Sequence, residues 1–326
     1  MKTEIKKYLD RFRFMFRKEF LLSLLVFVVV GFAATFLFYK SAVDISTKIP
    51  TGKQESNPVS EKEKRTVYIG VISRYPPNII FKGYQPIIDY LNQNEKFQFE
   101  LKLSTSYSET VNQLINSEVA VAFFGTLLYI NAHERYGIIP ILKPLNEDFK
   151  PFFKSVVFTK SNSGIASIKD LKGKRVALPS SESFSGNWLI KYELLKYNIL
   201  EKDIKEIKNF AYHQNVIYQV LNGDFDAGVV KDRVIKEYDE RKIKIIEYSE
   251  PVPGSPIVAA QNYDPEIIGI IKSLLLKIDL KQRKYQELLK SWDKEFIYGF
   301  VEANNDDYDL IRKYSGKQKW FPSRIV

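Results

Sequence analysis
Ser183 and Ser185 stand in the turn SESFSG at 181–186, between an apolar run and an amphipathic one. Arg175 to Leu178 reads as a buried strand, Pro179 to Phe184 as a turn rich in small hydroxyl residues, and the chain from Gly186 as a helix. The first N–H groups of a helix have no partner inside it, and the macrodipole places partial positive charge there. The turn is therefore poised to hold an anion, with two hydroxyls as extra donors. One of these serines is read equally well as the N-cap of the helix from Asn187.

Three more turns offer donors at comparable places. They hold Tyr107 in SYSE at 106–109, Thr126 in GTLLY at 125–129 and His213 in AYHQN at 211–215, each after a strand-like run and near a helix start. A histidine ring N–H can donate to an anion, and a satisfied structural histidine is the competing reading of His213. Asp226 opens the strand DAGVV at 226–230, where its carboxylate either accepts from a ligand hydroxyl or caps the preceding loop. There is no Cys and no His pair at helical spacing, and NNDDYD at 304–309 lacks the Gly and distal Glu of a calcium loop. Neither a metal nor a cofactor is expected. With no nucleophile and base pair in sight, neither is catalysis.

The elements that must position these residues alternate between strand and helix, which implies parallel βαβ units. Strands are expected at 67–73, 99–104, 119–125 and 152–159, and helices at 85–92, 108–115 and 127–136. A second unit runs through strands at 175–178, 204–209 and 226–230 and helices at 187–197 and 215–221, and one long helical stretch follows from Pro265 to Trp292. Two comparable α/β units suggest two lobes with a cleft between them, and open α/β sheets bind ligands beyond the carboxyl ends of their strands. The lobes are expected at 66–158 plus 256–326 and at 159–255.

Ahead of the lobes lies a run of apolar residues from 20 to 39, about the length that spans a bilayer as a helix. Seven Lys and Arg residues between Lys2 and Lys18 precede it, so the segment 1–19 is expected in the cytoplasm and the chain beyond Lys40 outside. A cleaved signal peptide is the rival reading, and the length of the run weighs against it. Residues 40–65, rich in Ser, Thr, Pro and Lys, read as a solvated tether. The net charge of +10 suits an anionic partner, although part of it is explained by topology; no nucleic-acid partner is expected.

Taken with GVIS, GYQPIIDYL, FGTLLYINA, SIKDLKGKRVAL, NGDFDAGVV, SEPVPGSP and GFVEANNDDYDLIRKY, the region from about Val67 to Tyr314 resembles the periplasmic phosphate, phosphite and phosphonate binding proteins of ABC transporters. The resemblance implies a two-lobed α/β type II periplasmic binding fold, preceded here by one transmembrane helix, with an oxyanion gripped between the lobes. It also implies that Ser183, Ser185 and the backbone around Phe184 donate to the phosphonyl oxygens while Tyr107 and His213 close from neighbouring turns. The implied partners are a small oxyanion and an ABC permease, or else a membrane sensor such as a kinase or cyclase. Phe184 stands where the family usually has Thr, Phe153 where Tyr is common and Thr126 where Pro is usual. Ser255 in PVPGSP stands where aminoalkylphosphonate binders resemble Asp-Pro, and Arg233 lies just beyond the DAGVV strand. A wall poor in acids favours phosphate, phosphite or a short alkylphosphonate over aminoethylphosphonate, unless Glu182, Asp226 or Glu250 reaches the cleft.

Overall fold
A computed structural model describes residue 6, residues 22–37 and residues 64–316. The expected cytoplasmic segment 1–19, nearly all of the tether and both ends of the expected membrane span lie outside the described residues, apart from Lys6. Residues 22–37 form a helix, α1, whose apolar side chains are exposed, Phe27 and Phe32 to more than three-quarters. Among the described residues no helix is long and apolar enough to cross a membrane. The chain divides into two compact units, residues 1–62 and residues 63–326.

The second unit is built on two mixed sheets. The first has six strands: β1 (Arg65–Val71), β2 (Phe97–Leu103), β3 (Val121–Phe123), β4 (Ile139–Pro144), β12 (Ile257–Ala259) and β13 (Phe300–Glu302), in the order β13-β4-β12-β3-β1-β2. In it β1 runs parallel to both β2 and β3, and β12 closes antiparallel on β3 and β4. The second has β6 (Ser155–Lys160), β7 (Arg175–Leu178), β8 (Glu206–Asn209), β9 (Ala227–Lys231) and β10 (Ile243–Tyr248), in the order β10-β6-β9-β7-β8. A two-stranded ribbon of β5 (Phe152–Phe153) and β11 (Val252–Pro253) carries the chain out of the first sheet and back. The strand expected at 152–159 is thus two strands in different sheets, so residues 155–158 pair with the second sheet and not the first.

The buried strands are the continuously apolar ones. VAF of β3 and AGVVK of β9 are buried at every residue, as strands covered on both faces must be. Helices α2 (Pro77–Leu91) and α9 (Pro265–Leu275) bury Ile80, Ile87, Ile88, Ile267 and Ile271 in one cluster with Val67, Ile69 and Val121 of the first sheet. The C-terminal part, through β12 and β13, completes the first sheet. The stretch 265–292 is not one helix, however: α9 ends at Leu275 and α10 spans Arg283–Leu289. Between them the Asp279 side chain accepts the Lys281 N–H and its carbonyl accepts the Gln282 N–H, a turn that no Gly or Pro announces.

Candidate functional site
The parallel strands β1, β2, β3, β7, β8 and β9 all deliver their carboxyl ends to one cavity. Its lining includes Arg74 and Tyr75 after β1, Tyr107 after β2, Gly125 and Thr126 after β3, Ser183 to Ser185 after β7, His213 after β8, and Lys231 and Arg233 at the end of β9. Phe153 of the ribbon and Ser255 beside it complete the wall. The cavity measures about 30 Å³. A water needs about 10–15 Å³ on this measure, so the space suits one compact ion.

The serine turn is organised by its own hydrogen bonds. The Ser183 hydroxyl donates to the Ser180 carbonyl at 2.8 Å and accepts the Gly186 N–H at 3.0 Å, so it caps the helix start. The Asn187 amide ties the carbonyls of Ser181 and Ser183 to the same turn. Asn187 and Trp188 bond back to the Phe184 carbonyl. The N–H groups of Phe184 and Ser185, two residues that line the cavity, have no hydrogen-bond partner among the described residues. Behind them α5 (Ser185–Trp188), a π-helical turn (Leu189–Glu193) and α6 (Leu194–Lys196) form one continuous helix. The buried Ser185 hydroxyl lies 2.6 Å from that of Ser155, which stands at the start of β6.

Six of the seven residues singled out in the sequence line the cavity: Tyr107, Thr126, Ser183, Phe184, Ser185 and His213. Asp226 does not. Its carboxylate accepts the Arg175 backbone N–H and pairs with the Arg175 guanidinium at 2.8 Å, which lowers its pKa and makes it a brace between β7 and β9. The Thr126 hydroxyl is spent on the Pro253 carbonyl at 2.9 Å, so what this residue presents is the start of α4 (Thr126–Tyr136). The Tyr107 hydroxyl makes no hydrogen bond among the described residues, and burial raises its pKa, keeping it a neutral donor. His213 opens α7 (His213–Asn222), and its Nδ1 faces the Lys231 backbone N–H at 3.4 Å. That contact assigns the ring proton to Nε2. Burial first, then repulsion from Lys231, Arg233 and Arg74, lowers the His213 pKa well below its ordinary value, so the ring is a neutral donor near pH 7.

Of the charged half of the wall, sequence reading noted only Arg233. Glu295, in the segment between α10 and β13, is buried and takes three cations at once: Arg74, Lys231 at 2.9 Å and Arg233 at 3.2 Å. Asp293 stands 3.5 Å from Arg233 and 3.9 Å from Arg74. Arg233 also donates to the Tyr75 hydroxyl at 2.6 Å, and Lys231 to Ser255 Oγ at 2.7 Å. No acid is among the described residues that line the cavity; the two carboxylates Glu295 and Asp293 stand behind its three cations and pair with them. Burial pushes the Lys231 ammonium down to about 8 against the pull of Glu295. Besides Arg233, the signal available beforehand is Lys231 itself, because a lysine closing a strand as apolar as AGVV must find a partner when buried.

Residues 69–308 match the model of the family described as ABC transporter, phosphonate, periplasmic substrate-binding protein. Among curated proteins the chain is similar to the phosphate-import protein PhnD of Mycolicibacterium smegmatis, 22% identical over 273 residues that cover 76% of this chain and 84% of that one. Among solved structures it is similar to PhnD1 of Prochlorococcus marinus in complex with methylphosphonate, with a TM-score of 0.69 and 20% identity over 79% of this chain and 99% of the other. A binding protein component of an ABC phosphonate transporter from Pseudomonas aeruginosa superposes with a TM-score of 0.67 and 19% identity over 78% and 86% of the two chains. These likenesses show the two-lobed periplasmic-binding fold. The family match takes in both sheets and every strand end that borders the cavity, and by it the chain belongs to the periplasmic substrate-binding proteins of phosphonate ABC transporters.

Proposed function
We propose that the chain captures a small tetrahedral phosphorus oxyanion, either phosphate, phosphite or a short alkylphosphonate, and hands it unchanged to an ABC permease. The observation that carries this reading is the convergence of the open Phe184 and Ser185 N–H groups, the Ser185 and Tyr107 hydroxyls and the His213 ring on one cavity of about 30 Å³. Phosphate and methylphosphonate, named with two of the similar proteins, are of that compact kind. Where Phe153 and Phe184 replace hydroxyl residues of the family, their rings meet edge to face at 6.2 Å, and the Phe153 face lies 4.2 Å from the Lys231 ammonium. An apolar lid and a cation thus stand where the missing hydroxyls would be.

Changing Ser183 and Ser185 together to Ala tests the anion grip. Hydrogen bonds to a charged acceptor are worth about 1.5–3 kcal/mol each, so phosphate affinity is expected to fall at least about tenfold while the fold is kept. Ser185→Ala alone, which leaves the Ser183 cap in place, is expected to account for most of the loss. Affinity within a factor of about two of the wild type would return both serines to a purely structural role.

The same proposal includes anchoring. The apolar run at 20–39, with its basic flank, holds the binding unit to the outer face of the cytoplasmic membrane as a single pass. The exposed apolar surface of residues 22–37 supports this, since such a surface is costly in water. The full chain is expected to stay in the membrane fraction through high-salt and alkaline washes, with protease reaching only residues beyond Lys40. A soluble mature form beginning near residue 34 or 43 would show cleavage instead.

A further inference from the structure
The cavity has two unlike halves. One is the serine turn, which offers neutral backbone and hydroxyl donors. The other is a cationic array contributed by both sheets: Arg74 follows β1 of the first, whereas Lys231 ends β9 of the second and Arg233 follows it. All three line the cavity, and Glu295 stands behind them, paired to each. Three cations against the two carboxylates Glu295 and Asp293 leave one positive charge in excess. Both acids are already engaged, Glu295 by all three cations and Asp293 by the two arginines. Of the five donors on each arginine, the Nε–H is buried without a partner in both Arg74 and Arg233. The Lys231 ammonium uses one N–H on Ser255 and one on Glu295, which leaves its third.

We propose that Lys231, braced by Glu295 and Ser255, is the specificity-determining residue of this cleft: with Arg74 and Arg233 it makes the wall facing the serine turn cationic, so the site takes a compact, fully ionised oxyanion and rejects a phosphonate bearing an ammonium group. The inference rests on the oxyanion reading above and names the ligand within it. A second ammonium brought into the cavity would be desolvated beside three buried cations, with no carboxylate among the described residues that line it. A doubly charged tetrahedral ion meets the opposite situation, with donors ahead of it at the serine turn and the excess charge behind. Lys231 carries this excess in particular, because Asp293 pairs only with the two arginines and Lys231 has no carboxylate but the Glu295 that it shares with both.

Calorimetric titration of the full chain in detergent with phosphate and with 2-aminoethylphosphonate tests this, comparing the wild type with Lys231→Gln and Lys231→Arg. The wild type is expected to bind phosphate at least a hundredfold more tightly than aminoethylphosphonate. In Lys231→Gln that ratio is expected to shrink at least tenfold, through weaker phosphate binding, and in Lys231→Arg, which keeps the charge, to stay within about threefold of wild type. A ratio in Lys231→Gln within about threefold of the wild-type value would overturn the assignment while leaving the oxyanion reading intact. So would aminoethylphosphonate binding the wild type as tightly as phosphate, a result that needs no variant to fold. Failure of the wild type to bind phosphate would overturn the assignment as well, and the oxyanion reading would fall with it only if phosphite and methylphosphonate also failed to bind.

Discussion
Replacing Glu295 by Ala is expected to destabilise the protein by about 3–5 kcal/mol, the cost of removing one partner from a buried ion pair. The figure belongs at the upper end here, because one carboxylate with a side chain only 6% exposed serves Arg74, Lys231 and Arg233 together. Its loss leaves three buried cations with Asp293 alone, and that residue touches only the two arginines. For a unit of this size the loss lowers Tm by roughly 10 °C. The pH dependence follows from the same contacts. Burial alone would raise the Glu295 pKa, yet the combined attraction of Arg74, Lys231 and Arg233 outweighs it and holds the carboxyl well below the ordinary range. A carboxyl whose folded pKa lies below its unfolded value of about 4.3 contributes stability that is fully present above that value and is lost as pH falls toward the folded pKa. The gap in stability between wild type and Glu295→Gln is therefore expected to be flat from neutral pH to about 5 and to narrow below it. A thermal melt of the variant within 2 °C of wild type at pH 7 would show that the cluster carries no such load.

Gly186→Ala is expected to abolish tight binding. A Cβ at this position would lie 2.1 Å from the Ser180 carbonyl oxygen and 2.7 Å from that of Pro179, both of them backbone atoms that no rotamer change can move aside. The turn must open for the side chain to fit. Opening it breaks the Gly186 N–H bond to Ser183 and displaces the Phe184 and Ser185 N–H groups from the cavity. Losing two charge-assisted hydrogen bonds at about 1.5–3 kcal/mol each weakens the complex by about 3 kcal/mol or more, a hundredfold or greater. Stability is expected to fall by about 1–3 kcal/mol, as overpacking does. A variant that binds phosphate within threefold of wild type would mean that the turn is not the anion grip.

The parts of this architecture that are local in the chain were legible in advance. RVAL at 175–178 is a strand with the expected bounds, because a Gly at 173 with φ of +70° and Pro179 bracket a run whose last three residues are buried. The serine turn, too, is contained within a few residues, and its strand–turn–helix order points to an anion without any knowledge of the fold. Helix α2 begins eight residues before the expected Gln85, since Pro77 starts it and Pro86 sits inside it, a residue that argues against a helix when read alone. The cationic wall was illegible for a different reason. Arg74 and Glu295 are 221 residues apart, and Lys231 and Glu295 64 apart, so only the folding of β1, β9 and the segment after α10 brings them together. Asp226 misled because a carboxylate at the start of a strand serves a ligand and a neighbouring Arg equally well, and the register that sets Val176 against Ala227 gives it Arg175.

The cavity is expected to hold a phosphorus oxyanion, and binding to the wild type can be read directly. The most direct measurement is a thermal denaturation series on the full ligand-free chain with phosphate, phosphite and methylphosphonate added in turn. A ligand present at about 100 times its dissociation constant adds about 2.7 kcal/mol of stability, so at least one of the three is expected to raise Tm by several degrees in a concentration-dependent way, and Gly186→Ala is expected to lose that shift. No shift with any of the three at millimolar concentration would contradict the account at its centre.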